Sequence, residues 1–102
     1  MIVIERAWST GRVPSDVRVY LADLADAEDI SGVASLHITP TKKPIKKKLL
    51  LDMNTLGRFI DNIEGVCLGP RLANGRQSLI FVVDDNFDNR QRSQFLLFEI
   101  IP

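Results

Sequence analysis

The chain has 102 residues, of which 45% are hydrophobic and 25% are charged, proportions that are typical of one small soluble domain and argue against disorder or a membrane span. Basic and acidic residues both number 13, so no net charge favours nucleic acid or an anionic membrane as a partner. The single cysteine, Cys67, excludes an internal disulfide.

Three strands are predicted in the first half of the chain. Ile2-Val3-Ile4 is a short β-branched run, and residues 17–21 partly alternate apolar and polar side chains. Residues 22–47 have little regular pattern and predict a long loop. Leu49-Leu50-Leu51 follows this loop and predicts the third strand.

One helical turn and three further strands are predicted in the second half. The turn is expected at residues 54–59, and a strand of small residues at residues 63–68. Residues 79–83 are apolar throughout, which is typical of a strand covered on both faces. Residues 95–101 predict the last strand, so the fold class is all-β with antiparallel sheets.

All five lysines lie within seven consecutive positions, after an acidic stretch that begins at Asp23. Such a cluster can bind phosphate or nucleic acid. Here Pro44 interrupts it, no aromatic residue is interleaved, and an apolar strand follows directly. We therefore expect a solvated loop whose lysines also keep a sheet edge from pairing with other chains. The lysines are Lys42, Lys43, Lys46, Lys47 and Lys48.

A hairpin is predicted at Asn74-Gly75, because both residues readily adopt the positive φ that a two-residue turn requires. If these two residues are the centre of the turn, directly opposed residues have numbers that sum to 149. Glu64 then faces Asp85, although Pro70 can shift the register by a residue or two. In either register, the two acidic segments lie at the same end of the hairpin.

A weak internal repeat relates residues 2–8 to residues 81–87. Each copy has three apolar residues, an acid, two variable positions and an aromatic residue, and each leads to a further apolar strand. A repeated unit of strand, polar turn and strand is typical of radially arranged four-stranded sheets. The sequence thus predicts one or two partial blades of a β-propeller.

Two sets of short runs carry a resemblance to a known family. The denser set is in the second half, in residues 61–65, 69–72, 74–76, 78–79, 84–87 and 94–95, and the other is in the first half, in residues 5–8, 17–24 and 48–52. The second half resembles the C-terminal end, and the first half the penultimate segment, of the phytase-like family, which is described as having esterase-like activity. Val83 and Ser93 depart from the family pattern, in which serine and threonine are expected.

This resemblance implies an exported β-propeller of several hundred residues that acts on a small-molecule phosphate ester or other ester. The chain is then one fragment, residues 1–102, with a penultimate blade-like segment at 1–53 and a last blade-like segment at 60–102. We expect the fragment alone to have no appreciable turnover. We also expect exposed strand edges to favour a homo-oligomer.

Within this resemblance, the acidic ends of the hairpin suggest a hard-cation site. Carboxylate and amide oxygens suit Ca²⁺, which takes six to eight of them, so we expect Glu64, Asp84, Asp85 and Asn86 to bind calcium. A cation there would polarise a phosphoryl or acyl oxygen. Asp61, Glu5 and Arg6 are expected to complete the rim and bind substrate, with Arg6 making a bidentate contact to an anion.

Simpler interpretations stand beside these. Asp-Asn runs after a strand are ordinary turn residues that bond their own backbone, which would suit a non-catalytic binding or scaffold module. Trp8 and Phe87 are expected to pack within blades, and Gly65 and Gly69 to allow close backbone approach. Cys67 is expected to be an inert buried thiol.

Overall fold

The computed structural model is built from six antiparallel strands and one turn of 3-10 helix. It describes residues 1–7, 16–38, 43–58, 60–84, 89–90 and 92–102. The strands and the helical turn are, in chain order, β1 (Ile2–Ala7), β2 (Asp16–Asp23), β3 (Lys46–Asp52), the 3-10 turn (Met53–Leu56), β4 (Ile63–Arg71), β5 (Gln77–Val83) and β6 (Gln94–Glu99). The predicted all-β class and antiparallel pairing are confirmed.

The described chain divides into two units. The first contains Met1–Glu5 and Val17–Leu56, and the second contains Arg6–Asp16 and Gly57–Pro102. The boundary therefore falls inside β1, between Glu5 and Arg6. The predicted blade-like segments, 1–53 and 60–102, stay a prediction.

The first sheet has the order β1-β2-β3, with β2 in the centre. Met1 and Ala22 exchange two backbone hydrogen bonds, with N···O distances of 2.8 and 3.0 Å. On β2, Val17, Val19 and Ala22 are buried. The pairing shifts by one residue between Val19 and Tyr20, because Leu50 of β3 has no partner in the ladder. The buried positions of β2 change phase at the same place, from Val19 to Ala22.

The predicted loop at residues 22–47 is too long at both ends. β2 continues to Asp23 and β3 begins at Lys46, and these two residues are paired across the strands. Their opposite charges favour this last pair of the ladder. The predicted helical turn at residues 54–59 begins one residue earlier, at Met53, whose side chain is buried.

The second sheet has the order β4-β5-β6, with the apolar strand β5 in the centre. Its buried face contains Leu79, Phe81 and Val83, and the Phe81 ring meets the edge of Phe98 at 5.6 Å between centroids. On the opposite face, Ile80 and Val82 are half-buried. Ser78 lies on the same face as Ile80 and Val82 and is fully buried, so within the described part of the chain this second face of β5 is only partly open, at Ile80 and Val82.

The hairpin between β4 and β5 forms, but its predicted register is wrong. Gly75 donates its N–H to the Leu72 carbonyl at 2.8 Å, and Leu72 donates to the Arg76 carbonyl at 2.8 Å. The loop is therefore three residues long, and Gly75 takes the positive φ, +82°, that such a loop requires.

Two register shifts in β4 move the pairing further from the prediction. One lies between Ile63 and Gly65 and the other between Leu68 and Arg71. Ile63 consequently pairs with Val83, where the predicted register would place it opposite Asn86. Glu64 falls within the first shift and has no partner in the ladder, because extra residues inside β4 shift the pairing without any clear sign in the sequence; Asp85, its predicted partner, lies outside the described residues.

Candidate functional site

One end of the second sheet collects acidic and amide side chains from separate segments. Ile63 pairs with Val83, which pairs with Gln94, so these three residues form a row across the sheet near this end. The segment before β4 and the segment after β5 therefore meet here, as the hairpin prediction required. We call this region the acidic end and define it by Asp61, Asn62, Glu64 and Asp84.

Arg6 binds directly to the acidic end. Its Nη1 donates to the Glu64 carboxylate at 3.1 Å and to the Ile63 carbonyl at 3.1 Å, and it also bonds the Asn62 side-chain oxygen. Asn62 in turn donates its side-chain N–H to the same oxygen of Glu64. The predicted rim residue Arg6 and the predicted calcium ligand Glu64 are thus brought together.

Asp61 is buried and has a local structural role. Its carboxylate accepts the backbone N–H of Asn62 at 2.9 Å, and its own N–H donates to the Gln94 side-chain oxygen at 3.5 Å. These bonds join the entry to β4 with the start of β6. Asp61 therefore holds the position of Asn62, and its predicted contact with substrate stays a prediction.

The predicted calcium ligands are only partly placed. Glu64 and Asp84 are exposed, whereas Asp85 and Asn86 lie outside the described residues. No group of three or more His, Cys, Asp or Glu side chains that could share a metal ion occurs among the residues that the structure describes. Since Ca²⁺ takes six to eight oxygen ligands, these residues do not fit the ion by themselves.

Glu5 binds a lysine of the first unit instead. Its carboxylate forms an ion pair with the Lys47 ammonium group, which also lies 4.4 Å from the centre of the Tyr20 ring. Lys47 is on β3, an edge strand of its sheet, so three of the clustered lysines lie in a strand and not in the predicted loop.

The lysine cluster and the upstream acidic stretch meet in the first unit. Lys43 and Lys46 line a surface pocket of about 490 Å³ together with Asp23, Asp26 and Pro44. Two carboxylates thus offset two ammonium groups, which lowers the local positive potential. The sequence showed both charged segments, but their meeting depends on the pairing of β2 with β3.

The prediction for Cys67 is wrong, and two amide residues, Asn62 and Gln94, were not predicted as site residues. Cys67 is exposed, because β4 is an edge strand and Cys67 lies opposite the half-buried Ile80. Asn62 and Gln94 were quoted only as parts of motifs, yet both bond residues of the acidic end. Their signal was an amide side chain where a strand starts, since Asn62 directly precedes β4 and Gln94 is the first residue of β6.

These features define an all-β protein with a carboxylate-lined sheet end on which an arginine is held. A family model described as "Phytase-like: Esterase-like activity of phytase" matches residues 1–87. The chain belongs to this phytase-like family. Comparison with curated proteins and with solved structures gave no match.

Among the described residues, no helix has the length and apolar character needed to cross a membrane.

Proposed function

We propose that this chain supplies part of the active site of a longer phytase-like protein that hydrolyses phosphate esters or other esters. The observation that carries the proposal is the contact of Arg6 with Glu64 and Asn62 at the acidic end. The family match supports the ester chemistry. Because the site is only partly present, the 102-residue chain alone should show no appreciable turnover.

Arg6 is the proposed contact for the negatively charged oxygens of the substrate. Its bonds to other described residues all start from Nη1, while Nε and Nη2 carry further N–H donors. The side chain is half-exposed, so these donors can reach a ligand. A guanidinium that a carboxylate already positions can bind two oxygens of a phosphoryl or acyl group, and it stabilises the charge that develops there.

Glu64 and Asp84 have different proposed roles: Glu64 positions Arg6, and Asp84 contacts the attacking water. Both carboxylates are exposed at the same end of the sheet. Glu64 directs one oxygen to Arg6 and Asn62 and therefore acts mainly by positioning Arg6. Asp84 can accept a proton from a water molecule within hydrogen-bond distance.

Calcium binding is a separate proposal, on which no step above depends. Asp84, Asp85, Asn86 and Glu64 would supply the oxygens, and the bound ion would polarise the ester oxygen. Calorimetric titration of the longer protein with Ca²⁺ tests this: Asp84→Asn should weaken binding at least several-fold. Equal heats of Ca²⁺ binding for the longer protein and its Asp84→Asn variant, or no binding heat for either, would contradict the calcium proposal.

A β-propeller is the architecture that we propose for the longer protein. β1 and β2 pair with each other, as do β5 and β6, and the internal repeat relates β1 to β5. β3 extends the first sheet beyond β2, and β4 extends the second sheet on the other side of β5. Each sheet thus looks like three strands of a four-stranded blade, offset by one strand. We also propose that the longer protein is exported, which cell fractionation would test.

A non-catalytic scaffold is the alternative function. It is favoured by the bonds that Arg6, Asn62 and Glu64 make with one another, since such a cluster can serve only to fix the start of β4. Under this alternative, the acidic residues are turn formers and removal of their charges leaves any activity of the longer protein unchanged.

A matched pair of substitutions separates the two functions. Arg6 and Glu64 are 44% and 39% exposed, and the ion pair at the opposite end of the same sheet, Arg76 and Glu99, is 45% and 30% exposed. In the longer protein, Arg6→Gln should lower kcat/KM for ester hydrolysis on the order of 100-fold, the usual cost of losing one transition-state donor. Arg76→Gln should change it less than about twofold.

The assay compares a phosphate monoester and a carboxyl ester of the same chromogenic alcohol. Loss of activity only with Arg6→Gln supports the proposal. Equal activity of both variants and the parent supports the scaffold, and equal losses would show that the effect is on stability.

A further inference from the structure

The outer edge of β6 has free backbone groups. In the described part of the chain, β6 lies at the edge of its sheet and pairs only with β5. Ile100 donates its N–H to the Gln77 carbonyl at 2.9 Å, towards β5. Because alternate residues of a strand point their N–H and C=O groups to the same side, Phe95, Leu97 and Glu99 direct theirs away from β5.

Two large apolar side chains stand exposed beside this edge. Phe95 is 79% exposed and Leu97 is 61% exposed. They lie opposite Val82 and Ile80 on the half-buried face of the sheet. Single exposed apolar residues are common, but these four form a continuous apolar strip that ends at the open edge.

Two other edge strands, β3 and β4, carry features that hinder pairing with another chain. β3 begins with Lys46-Lys47-Lys48, and β4 has two register shifts and Pro70. Lysines, bulges and proline are the usual means of protecting an edge. β6 has none of them: its six residues pair with β5 in an unbroken register.

We infer that, in the 102-residue chain by itself, β6 pairs antiparallel with β6 of a second copy, around a two-fold axis at Leu96; in the longer protein proposed above, the fourth strand of the blade would take this edge instead. In such a dimer the two-fold axis is perpendicular to the sheet, so the two residues of each cross-strand pair lie on the same face. The numbers of the two paired residues then add up to twice the number of the residue on the axis. With Leu96 on the axis, Phe95 lies opposite Leu97 of the second copy. The edge-directed groups of these two residues then form the hydrogen bonds.

The exposed residues along β6 form a self-complementary pattern, which is why we assign the open edge of β6 to a second copy of the chain. The axis at Leu96 brings both exposed residues of each copy into aromatic–aliphatic cross-strand pairs, which are favourable pairs in sheets. An axis at Leu97 would instead place Phe95 opposite Glu99, whose carboxylate already bonds Arg76 and Asn74. The two three-stranded sheets would become one six-stranded sheet with a shared apolar strip.

Sedimentation equilibrium of the 102-residue chain tests the dimer. Phe95→Lys and Leu97→Lys should each raise the dissociation constant on the order of tenfold, because each substitution removes two cross-strand pairs from the dimer. Leu68→Lys is the matched control: Leu68 is 65% exposed on the β4 edge strand, and its replacement should leave the constant unchanged. Circular dichroism checks that every variant is folded.

Disulfide formation tests the register. In a Cys67→Ser background, Leu96→Cys should cross-link readily, because residues on the axis have Cα atoms about 4.5 Å apart, which suits a disulfide. Phe95→Cys and Leu97→Cys should cross-link slowly. A monomer at all concentrations, an assembly larger than a dimer, dissociation by Leu68→Lys, or faster cross-linking at residue 95 or 97 would each overturn the inference.

Discussion

Replacing Gly69 with alanine should destabilise the second unit more than any other single-methyl insertion at a β4 glycine. A Cβ at Gly69 would lie 2.5 Å from Ser78 Oγ and 2.8 Å from Ile80 Cδ1. Ser78 is fully buried, and its hydroxyl donates to the Pro70 carbonyl at 2.5 Å. The methyl group and this hydrogen bond cannot both be accommodated.

The expected cost follows from these contacts. Moving the Ser78 hydroxyl leaves a buried donor without its acceptor, at about 1–3 kcal/mol, and overpacking adds about 1–3 kcal/mol. The lower chain entropy of alanine in the unfolded state offsets about 0.4–1 kcal/mol. Gly69→Ala should therefore lower the free energy of unfolding by about 3 kcal/mol, a large part of the total for a small domain.

Gly65→Ala is the matched control, and Ser78→Ala tests the mechanism. A Cβ at Gly65 would meet only Val82 Cγ1, at 3.2 Å, so the cost should stay below about 1 kcal/mol. Ser78→Ala removes the nearest atom, so the double variant with Gly69→Ala should be more stable than the sum of the two single changes predicts, by at least about 1 kcal/mol.

Urea denaturation monitored by circular dichroism measures these differences. The chain should carry Phe95→Lys, so that dissociation of a dimer does not contribute to the measured stability. Equal stability of the Gly65 and Gly69 variants, or strict additivity in the double variant, would refute the assignment of the cost to Ser78.

Three further predictions concern the same unit. Phe81→Ala should lower the free energy of unfolding by about 3–5 kcal/mol in the same denaturation assay, since the ring is fully buried. Gly75→Ala should cost about 1 kcal/mol there, because φ is +82° while the space around it is open. Hydrogen bonds from Arg76 and Asn74 lower the pKa of Glu99, so this ion pair stabilises the fold above the ordinary carboxylate pKa and the contribution is lost as pH falls through the lowered value. Arg76→Gln should raise the pKa of Glu99 in an NMR titration, and an unchanged titration curve would contradict this.

β5 and β6 could be predicted from the sequence because each contains an uninterrupted run of apolar residues. Residues 79–83 and 95–101 read as strands on composition alone. The first run lies in β5, whereas the second lies in β6 only as far as Glu99, two residues short of its predicted end. β4 was predicted to end at Leu68, before Gly69-Pro70, yet it continues to Arg71.

The continuation depends on bonds that the sequence does not reveal. Gln77 donates its side-chain N–H to the Gly69 carbonyl at 2.6 Å, and Ser78 bonds the Pro70 carbonyl. These side chains hold β4 against β5 across the register shift, where proline cannot contribute an N–H. These bonds join residues eight positions apart, so the pattern of neighbouring residues does not predict them.

The acidic end could be predicted as a location but not as a set of contacts. Two strands joined by a tight turn must bring their outer ends together whatever the register, so the meeting of the Glu64 and Asp84 segments followed from topology. The choice of Asn62 and Glu64 as partners of Arg6 depends on residues 56 and 58 positions away. Only the folded chain determines those partners.

The charge of the acidic end bears on which ester it can accept. The acidic end has three carboxylates, Asp61, Glu64 and Asp84, and one basic group, Arg6, among the residues that the structure describes. This excess of two negative charges repels a phosphate dianion, while Arg6 alone attracts it. A divalent cation would remove the excess, so the separate calcium proposal predicts that hydrolysis of a phosphate monoester by the longer protein requires added Ca²⁺.

An uncharged carboxyl ester meets no such repulsion, and its hydrolysis should proceed in the presence of a chelator. Measuring both activities of the longer protein with and without Ca²⁺ separates the two substrate classes. Phosphatase activity that survives complete chelation would show that the negative excess is neutralised by some other group. The charge argument for calcium at this end of the sheet would then fail, while the role of Arg6 would still be tested by Arg6→Gln.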